Sequence, residues 1–287
     1  AMTIAIISWR LLWKTIYVGM RMPWLNRFIL TTCLAVSGCQ SADTAELCEN
    51  FPVILESFDS PESPNVLALT QDPNYALGDD TDNNYLVATF VGNHVGSERN
   101  TRHLDLPSLD SATLSFDIWF EPGFDFVRGG KLPGFAPDTP AWGGETVEPA
   151  EWSNRIMWRE GGKLVTYSYH QNLPHKWGED SQTVSDKSLP VGSWVSLSLY
   201  TDLIFGKSEV WMNGEKISEL GELDFYAPGE NSPITTLAFH SFFGGNTPEW
   251  APKDKEGRYR NLTARFDNIG VYRGHCIRKR PHRDLGY

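Results

Sequence analysis

Apolar and polar residues alternate along several separate stretches of this 287-residue chain, and the alternation predicts β-strands. In ATLSFDIWFEP every second residue from Leu114 to Phe120 is apolar, and GSWVSLSLY repeats the pattern from Val195 to Leu199. Successive side chains of a strand point to opposite faces, so each stretch has one face suited to a core. The chain therefore requires sheets whose apolar faces are covered.

The composition favours many short strands joined by turns, because 15 Phe, 10 Tyr and 11 Trp accompany 25 Gly and 18 Pro. No stretch outside the N-terminus has a convincing amphipathic helical period. Asn213-Gly214 in SEVWMNGEKI is typical of a type I′ hairpin turn. We predict an all-β fold, a β-jelly roll or two-sheet antiparallel sandwich, with an open cleft on one sheet.

The first 38 residues differ from the rest, because they contain four basic residues and no Asp or Glu. In MRMPWLNRFILTTCLAVSGCQS, an apolar run too short to span a membrane leads to small residues before Cys39. This resembles a bacterial lipoprotein signal, in which the cysteine is lipidated and becomes the mature N-terminus. The alternatives are an ordinary secretory signal or a membrane anchor.

This pattern predicts a signal segment at 1–39, a tether at 40–50 and a single domain at 51–287. We expect an exported lipoprotein held by its lipid at the outer membrane or cell surface, with the periplasm as the alternative. Two cysteines remain outside the signal, and in an oxidising compartment we expect Cys48 and Cys276 to form a disulfide. The alternative is two free thiols.

The formal net charge of −11 argues against nucleic acid as a partner, and loss of the basic signal makes the balance more negative. An acidic polymer would need a local basic cleft. Asp79, Asp80 and Asp82 could hold Ca²⁺. Their spacing fits no standard calcium loop, so a solvated turn is favoured. We expect a monomer with no metal and no cofactor.

The stretch EWSNRIMWREGGKLVTYSYHQ, residues 151–171, predicts a hairpin. A two-residue turn would pair Arg155 with Ser168, and a three-residue loop would pair Arg155 with Tyr167. The longer loop has glycine available for a positive φ and places the apolar residues of both strands on one face. Because register must satisfy burial, the three-residue loop is favoured. It gathers Ser153, Arg155, Tyr167 and Tyr169 on the open face.

That cluster is suited to chemistry on a ligand that carries a carboxylate. Arginine binds a carboxylate bidentately, and a tyrosine can donate or accept a proton. Lys131 in FDFVRGGKLPGF stands between a glycine pair and a Pro-Gly turn, which fixes its position beside such a site. The alternative is an ordinary exposed strand face with no function.

The strings FDFVRGGKLPGF, WSNRIMWR, TYSYH, FHSFFGGN with EWAP, and RFDNIGVY occur in an order that resembles the polysaccharide lyase family 14 alginate lyases. Similarity to the family 20 glucuronan lyases is more distant. The resemblance extends from about residue 85 to about residue 272. It implies a β-jelly roll with an open cleft and cleavage of polyuronates by β-elimination.

By motif, the resemblance assigns the catalytic roles to Lys131, Arg155, Tyr167 and Tyr169, with Ser153 orienting substrate or a side chain. Arg155 would neutralise the carboxylate, and a tyrosine would serve as base and acid. Lys131 would serve either as a second neutralising group or as the base. Further candidates for substrate binding are Arg128, Arg159, Trp119, His240 and Ser241.

We therefore predict a lyase that cleaves a 4-linked polyuronate, alginate above others. The alternatives are a lyase for glucuronan or another polyuronate, and a non-catalytic carbohydrate-binding lipoprotein. A glycoside hydrolase would need two closely placed carboxylates, and no strand-like stretch alternates acids in that way. The stretch PDTPAWGGETVEPAEW is not obviously family-like, so the preferred sugar stays undecided.

Overall fold

Strands make up most of the computed structural model, which describes residues 52–80 and 83–282. In chain order they are β1 (Ile54–Glu56), β2 (Tyr75–Asp80), β3 (Asn83–Phe90), β4 (Gly92–Asn93), β5 (Gly96–Ser97), β6 (Asn100–Leu109), β7 (Ser111–Phe120), β8 (Gly129–Ala136), β9 (Ser153–Arg159), β10 (Leu164–Tyr169), β11 (Glu179–Asp180), β12 (Gln182–Thr183), β13 (Trp194–Asp202), β14 (Lys207–Met212), β15 (Glu215–Leu220), β16 (Ile234–Phe243) and β17 (Leu262–Arg273).

Helical structure within the described residues is confined to α1 (Pro64–Leu69) and two 3₁₀ turns, Glu160–Gly162 and Pro248–Trp250. Helix α1 begins at Ser63, whose hydroxyl accepts a hydrogen bond from the Val66 amide. No helix in this part of the chain has the length and apolar character to cross a membrane.

The strands form two antiparallel sheets and one short ribbon. The larger sheet has nine strands in the order β12-β15-β14-β13-β7-β17-β3-β2, with β1 added beside β17. The smaller sheet has six strands in the order β11-β10-β9-β8-β16-β6, and β4 pairs with β5. Non-consecutive neighbours, such as β7 beside β17, show that the chain crosses between the sheets repeatedly.

The apolar faces of the two sheets meet in one core. Phe116 and Ile118 from the larger sheet and Ile156 and Trp158 from the smaller sheet are fully buried in the same cluster. The rings of Phe239 and Phe266 meet edge to face across the sheets, with centroids 5.1 Å apart. The predicted antiparallel sandwich is therefore confirmed, as are its core positions on β7, β9 and β13.

The 151–171 hairpin has the predicted register. Arg155 lies opposite Tyr167, and Ser153 lies opposite Tyr169. The three-residue connection Glu160–Gly162 contains Gly161 at φ 70°, the left-handed conformation that glycine adopts without strain. The second predicted turn is present too, with Asn213 at φ 50° and Gly214 at φ 78°.

Strand β8 is interrupted by a bulge just after Lys131, while the ordinary pleat places Lys131 and Leu132 on opposite sides of the sheet. Its pairing with β9 and with β16 shifts in register just after Lys131. Pro133 has no amide hydrogen for a ladder, and a bulge accommodates it. Gly130 lies against the Trp158 indole, where a Cβ atom would come within 2.0 Å of the ring. The glycine and proline around Lys131 thus serve the packing of β8 on β9.

Several predictions concern residues outside the described part of the chain. These are the signal segment, the lipidated Cys39, the tether, Cys48 and Asp82. Cys276 is disulfide-bonded, and its partner lies outside the described residues, so Cys48 as that partner stays a prediction. Asp79 and Asp80 lie in β2 opposite Asn84 and Asn83.

Substituting Gly130 tests the close approach of β8 to Trp158. Gly130→Ala would push a methyl group into the indole and toward the Phe242 carbonyl. We expect the free energy of unfolding to fall by roughly 1–3 kcal/mol, the usual cost of overpacking a core. Denaturant unfolding measures this change.

Gly221→Ala is the matched control, because a Cβ at Gly221 meets no atom within 4 Å and its φ is not positive. There the exchange is expected to be neutral or stabilising by up to ~1 kcal/mol. Equal effects of the two substitutions would show that the contact with Trp158 does not restrict residue 130.

Candidate active site

The outer face of the six-stranded sheet is the floor of a groove of about 1030 Å³. The side chains that line it are mainly basic and aromatic. They include Arg99, His103, Lys131, Trp142, Arg155, Arg159, Tyr167, Tyr169, His175, Trp177, His240, Phe242 and Trp250, with Glu179 and Asp180 as acids. In a protein of net charge −11, such a lining marks a local site for an anionic ligand that has rings to stack.

Four neighbouring strands deliver the central side chains. Tyr167 comes from β10, Arg155 from β9, Lys131 from β8 and His240 from β16. In each strand the alternate residues enter the core, so the same pleat that buries Ile156 turns Arg155 to the groove. The structure therefore brings together the lysine, the arginine and the tyrosine pair that the sequence predicted.

Arg155 is a buried cation that contacts no carboxylate within the described residues. Its side chain is 3% exposed, and Nη1 donates a hydrogen bond to Nδ1 of His240 at 3.2 Å. Its Nε is buried without an acceptor in this part of the chain. Burial lowers the pKa of Arg155 to about 10, so the guanidinium keeps its charge at neutral pH. A ligand carboxylate beside it would supply the missing anion.

Lys131 reaches across β9 to the tyrosine strand. Its Nζ donates to the Met157 sulfur at 3.2 Å and lies 4.2 Å from the centre of the Tyr167 ring. Burial, together with the charges of Arg155 and Arg159, lowers the pKa of Lys131 well below its ordinary value. A thioether and an aromatic ring stabilise an ammonium less than a carboxylate would, so these partners do not reverse the lowering of the pKa.

The two tyrosines are neighbours with unequal surroundings. Their rings meet edge to face, with centroids 5.7 Å apart. Burial raises the pKa of Tyr167, and the neighbouring Tyr169 adds to the rise. Tyr167 therefore keeps its proton at neutral pH and is a donor. The Tyr169 hydroxyl accepts a hydrogen bond from the Gly144 amide at 3.0 Å.

The loop at residues 137–152, between β8 and β9, covers one part of the floor. Its Trp142 ring packs 5.0 Å from the ring of His240, and the Arg155 guanidinium carbon lies 5.3 Å from Trp142. Ser153 holds this loop, because its hydroxyl donates to the Ala141 carbonyl at 2.6 Å. Trp177, from the loop after β10, packs against Gly144.

The other cations of the groove have partners. Arg159 forms a bidentate ion pair with Asp180, at 2.5 and 2.8 Å. Arg99 donates to the backbone carbonyls of Phe243 and Gly245 and so holds the loop after β16. Arg155 and Lys131 differ from them, because within the described residues neither donates to an oxygen, and their partners are the His240 imidazole and the Met157 sulfur.

Four of the residues predicted to bind substrate do not line the groove. Ser153 shares the open face, but the 137–152 loop covers it and its hydroxyl is used by Ala141. Ser241 follows His240 and points the other way, where its hydroxyl bonds that of Tyr75 at 2.8 Å.

Arg128 and Trp119 also lie outside the groove. Arg128 lines a separate depression with Glu160 and Glu249. Trp119 belongs to the nine-stranded sheet, where it pairs with Trp194 and stacks on Arg265 at 4.3 Å. Arg159 and His240, by contrast, do line the groove as predicted.

Sequence reasoning missed several residues of the groove, among them His103, Trp142 and Trp177. It also missed Met157, whose sulfur accepts from the Lys131 amine beneath the groove. Met157 was available, because it shares its face with Arg155 in the predicted hairpin. The others come from a distant strand or from loops that have no periodic pattern. Within residues 52–80 and 83–282, no three His, Cys, Asp or Glu side chains are grouped so as to hold a metal ion.

Replacing Lys131 tests whether burial of its amine lowers the free energy of unfolding. Because the folded state lowers its pKa, the unfolded chain binds more protons between that lowered pKa and about 10.4, the ordinary pKa of lysine, and stability rises with pH across this window. Lys131→Met removes this group. We expect the variant to exceed the parent in free energy of unfolding at pH 7 by more than ~0.5 kcal/mol, the usual limit for surface changes.

The gain is expected to shrink as the pH approaches 10, which denaturant unfolding at several pH values measures. Lys163→Met, at an exposed lysine of the same hairpin, is the control. A Lys131→Met variant that is less stable than the parent at pH 7 would contradict a lowered pKa.

The comparisons with known proteins agree with this geometry. Alginate lyase Aly36B has a TM-score of 0.58 at 19% identity, covering 78% of this chain and 94% of that chain. Alginate lyase vAL-1 from Chlorella virus has a TM-score of 0.57 at 19% identity, covering 78% and 100%. The endo-β-1,4-glucuronan lyase of the fungus Trichoderma reesei has a TM-score of 0.50 at 12% identity, covering 78% and 96%.

At such identities these structures show the β-jelly-roll fold. No curated protein sequence matches the chain. The family model described as Polysaccharide lyase 14 matches residues 88–262, more than half of the sequence, which confirms the family that the motifs predicted. The chain belongs to the polysaccharide lyase 14 family.

Proposed function

We propose that the protein cleaves a 4-linked polyuronate by β-elimination, with alginate as its substrate, and leaves an unsaturated uronate at the new end. The observation that carries the proposal is the buried, unpaired Arg155 beside a lysine of lowered pKa and a tyrosine of raised pKa. Two neighbouring titratable groups can act as base and acid when their surroundings move their pKa values in opposite directions from the ordinary values.

The first requirement of the reaction is to make the C5 hydrogen acidic. This hydrogen is adjacent to the uronate carboxylate, whose negative charge opposes its removal. Arg155 is charged at neutral pH and has no competing anion among the described residues, so it is suited to bind that carboxylate. It would also stabilise the additional charge that develops on the carboxylate in the transition state.

Proton removal falls to Lys131. Its lowered pKa favours the neutral amine, whose lone pair takes the C5 hydrogen as a proton. The electron pair of the broken C5–H bond forms the C4=C5 double bond, and the C4–O4 bond breaks. Tyr167, which keeps its proton, gives it to the departing O4. The Lys131 ammonium then lies beside the Tyr167 phenolate, and transfer of the proton between them restores the starting state.

A test follows from the unsaturated product, which absorbs ultraviolet light. The domain is mixed with alginate and with glucuronan, and absorbance is recorded for the parent and for Lys131→Ala and Tyr167→Phe. We expect each substitution to lower kcat by roughly 10²–10⁴-fold, the usual contribution of a general base or acid. Lys163→Ala, at the exposed lysine of the hairpin, is the control.

No absorbance rise with any polyuronate would refute the proposed reaction. Retained binding to one polymer in that case would move the protein to the carbohydrate-binding class, the alternative from the sequence. Full activity of Lys131→Ala would exclude Lys131 as the base and leave the tyrosine pair to serve both roles.

The geometry also bears on which uronate is cleaved. Lys131 on β8 and Tyr167 on β10 project from the same face of the six-stranded sheet and are in contact. Because the base and the acid both project from the floor of the groove, both reach the same face of a bound sugar. This arrangement suits syn elimination, in which the proton and the leaving group depart from one face. In mannuronate and glucuronate the C5 hydrogen and O4 lie on the same face of the ring. In guluronate, the C5 epimer of mannuronate, they lie on opposite faces.

We therefore expect poly-mannuronate and glucuronan to be cleaved faster than poly-guluronate. The difference in kcat/KM should reach roughly a hundredfold. In poly-guluronate either the C5 hydrogen faces away from the base or O4 faces away from the acid, so one of the two groups cannot act. Initial rates on the purified block polymers measure this ratio. Faster cleavage of poly-guluronate would contradict a shared face for Lys131 and Tyr167 in the working complex.

We also propose that residues 1–39 direct export and that Cys39 carries the lipid that holds the enzyme at the cell surface. The support is the sequence pattern, since these residues lie outside the described part of the chain. Anchoring would keep the oligosaccharide products close to the cell that releases them.

A further inference from the structure

A chain of three side chains connects Arg155 to the far strand of the groove. Arg155 Nη1 contacts Nδ1 of His240 at 3.2 Å, and Nε2 of His240 contacts Nε2 of His103 at 3.0 Å. His240 on β16 is 3% exposed, while His103 on β6 is open to the groove. Within the described residues, His240 is the hydrogen-bond partner of the Arg155 guanidinium.

The chemistry of these groups fixes where the ring protons are. A guanidinium has only donors, so Nδ1 of His240 must accept with its lone pair. A neutral His240 therefore carries its proton on Nε2 and donates it to Nε2 of His103. His103 in turn carries its proton on Nδ1. Burial and the charge of Arg155 lower the pKa of His240 well below its ordinary value, which agrees with a neutral ring.

The position of the pair is restrained by aromatic packing. Trp142 lies 5.0 Å from the His240 ring and 5.7 Å from the His103 ring, centre to centre. The charged neighbours of His103 are Arg102 and Asp105 on its own strand and Arg155 on β9. No carboxylate of the described residues contacts His240 or the Arg155 guanidinium.

We propose that the His103–His240 pair is a positioning device for Arg155, which holds the guanidinium in place without neutralising it. A carboxylate in the position of His240 would orient Arg155 equally well, but it would form an ion pair and compete with the substrate. A neutral nitrogen acceptor fixes the geometry and leaves the full positive charge for the uronate carboxylate. His103 maintains the required tautomer by accepting the Nε2 proton. This inference rests on the proposed function, in which Arg155 binds the uronate.

Two nearly isosteric substitutions separate position from charge. Asn and Asp both place an oxygen where histidine has Nδ1, and only Asp brings a negative charge. We expect His240→Asn to retain much of the activity, with a loss in kcat/KM of roughly fivefold, since a neutral acceptor remains. His240→Asp is expected to lose roughly a hundredfold, much of it as a higher KM, because its carboxylate occupies Arg155.

When the parent enzyme is active, the activities of the two His240 variants distinguish the possible roles of this residue. A large loss in His240→Asp with a small loss in His240→Asn supports the device. Equal large losses in both variants, with unfolding curves like that of the parent, would show that the imidazole acts directly on the substrate and would overturn the proposal. Small losses in both would overturn it as well, since the charge of Arg155 would then not depend on residue 240.

A second measurement does not depend on activity. The protonated and unprotonated nitrogens of a neutral imidazole have distinct ¹⁵N chemical shifts, so NMR of the labelled protein reports each tautomer directly. The His240→Asn and His103→Gln variants identify the two rings by their missing signals. We expect the proton of His240 on Nε2 and that of His103 on Nδ1 at neutral pH.

A proton on Nδ1 of His240 would overturn the proposal even in an active enzyme, because that nitrogen could not accept from Arg155. If the parent cleaves no polyuronate but the tautomers are as expected, the proposed function fails while the support of Arg155 by the histidine pair stands. The two failures are therefore distinguishable.

Discussion

The register of β9 against β10 decides which side chains form the groove and which form the core. With Arg155 opposite Tyr167, the intervening Ile156 and Trp158 are buried between the sheets. A slip of one residue would exchange the two faces and place the guanidinium among apolar side chains. An unpaired charge among apolar side chains would destabilise the fold by far more than any turn or hydrogen bond stabilises it. The hydrophobic core therefore enforces the register, and through it the arrangement of the groove.

Lys131 and Arg155 are buried in the floor of the groove without a carboxylate partner among the described residues. Their burial destabilises the fold, but the site requires both groups. For Lys131 this destabilisation is smaller than for a permanent charge, because burial lowers its pKa and so shifts the group toward the neutral amine. Arg155 keeps its charge and faces neutral partners, namely the Trp142 and Tyr167 rings at 5.3 and 6.0 Å and the imidazole of His240. Such cation–π contacts return about 0.5–2 kcal/mol each and bring no negative charge. Every partner of Arg155 thus stabilises it without occupying the place of a substrate carboxylate.

The hairpin at 151–171 could be predicted to the residue because its loop length, its glycines and its apolar positions all favoured one register. Alternation alone assigns a residue to a face of its strand, and it does not say which sheet the strand joins. Sequence alone therefore left Trp119 and Ser241 as candidates for substrate binding, although β7 belongs to the nine-stranded sheet and Ser241 points away from the groove. Trp142 and His103 reach the groove through tertiary packing, for which no local pattern exists.

The 137–152 loop is joined to the floor of the groove at two points, so its position is coupled to the strands beneath it. Ser153 on β9 binds the Ala141 carbonyl, and the Gly144 amide binds the Tyr169 hydroxyl. The Tyr169 ring in turn packs edge to face against that of Tyr167, the proposed acid. A ligand that displaces this loop therefore also removes the hydrogen bond of the residue packed against the proposed acid. Because this loop carries Trp142 as well as the Gly144 amide, a change in the loop would act on the shape of the groove and on the Tyr169 hydroxyl together.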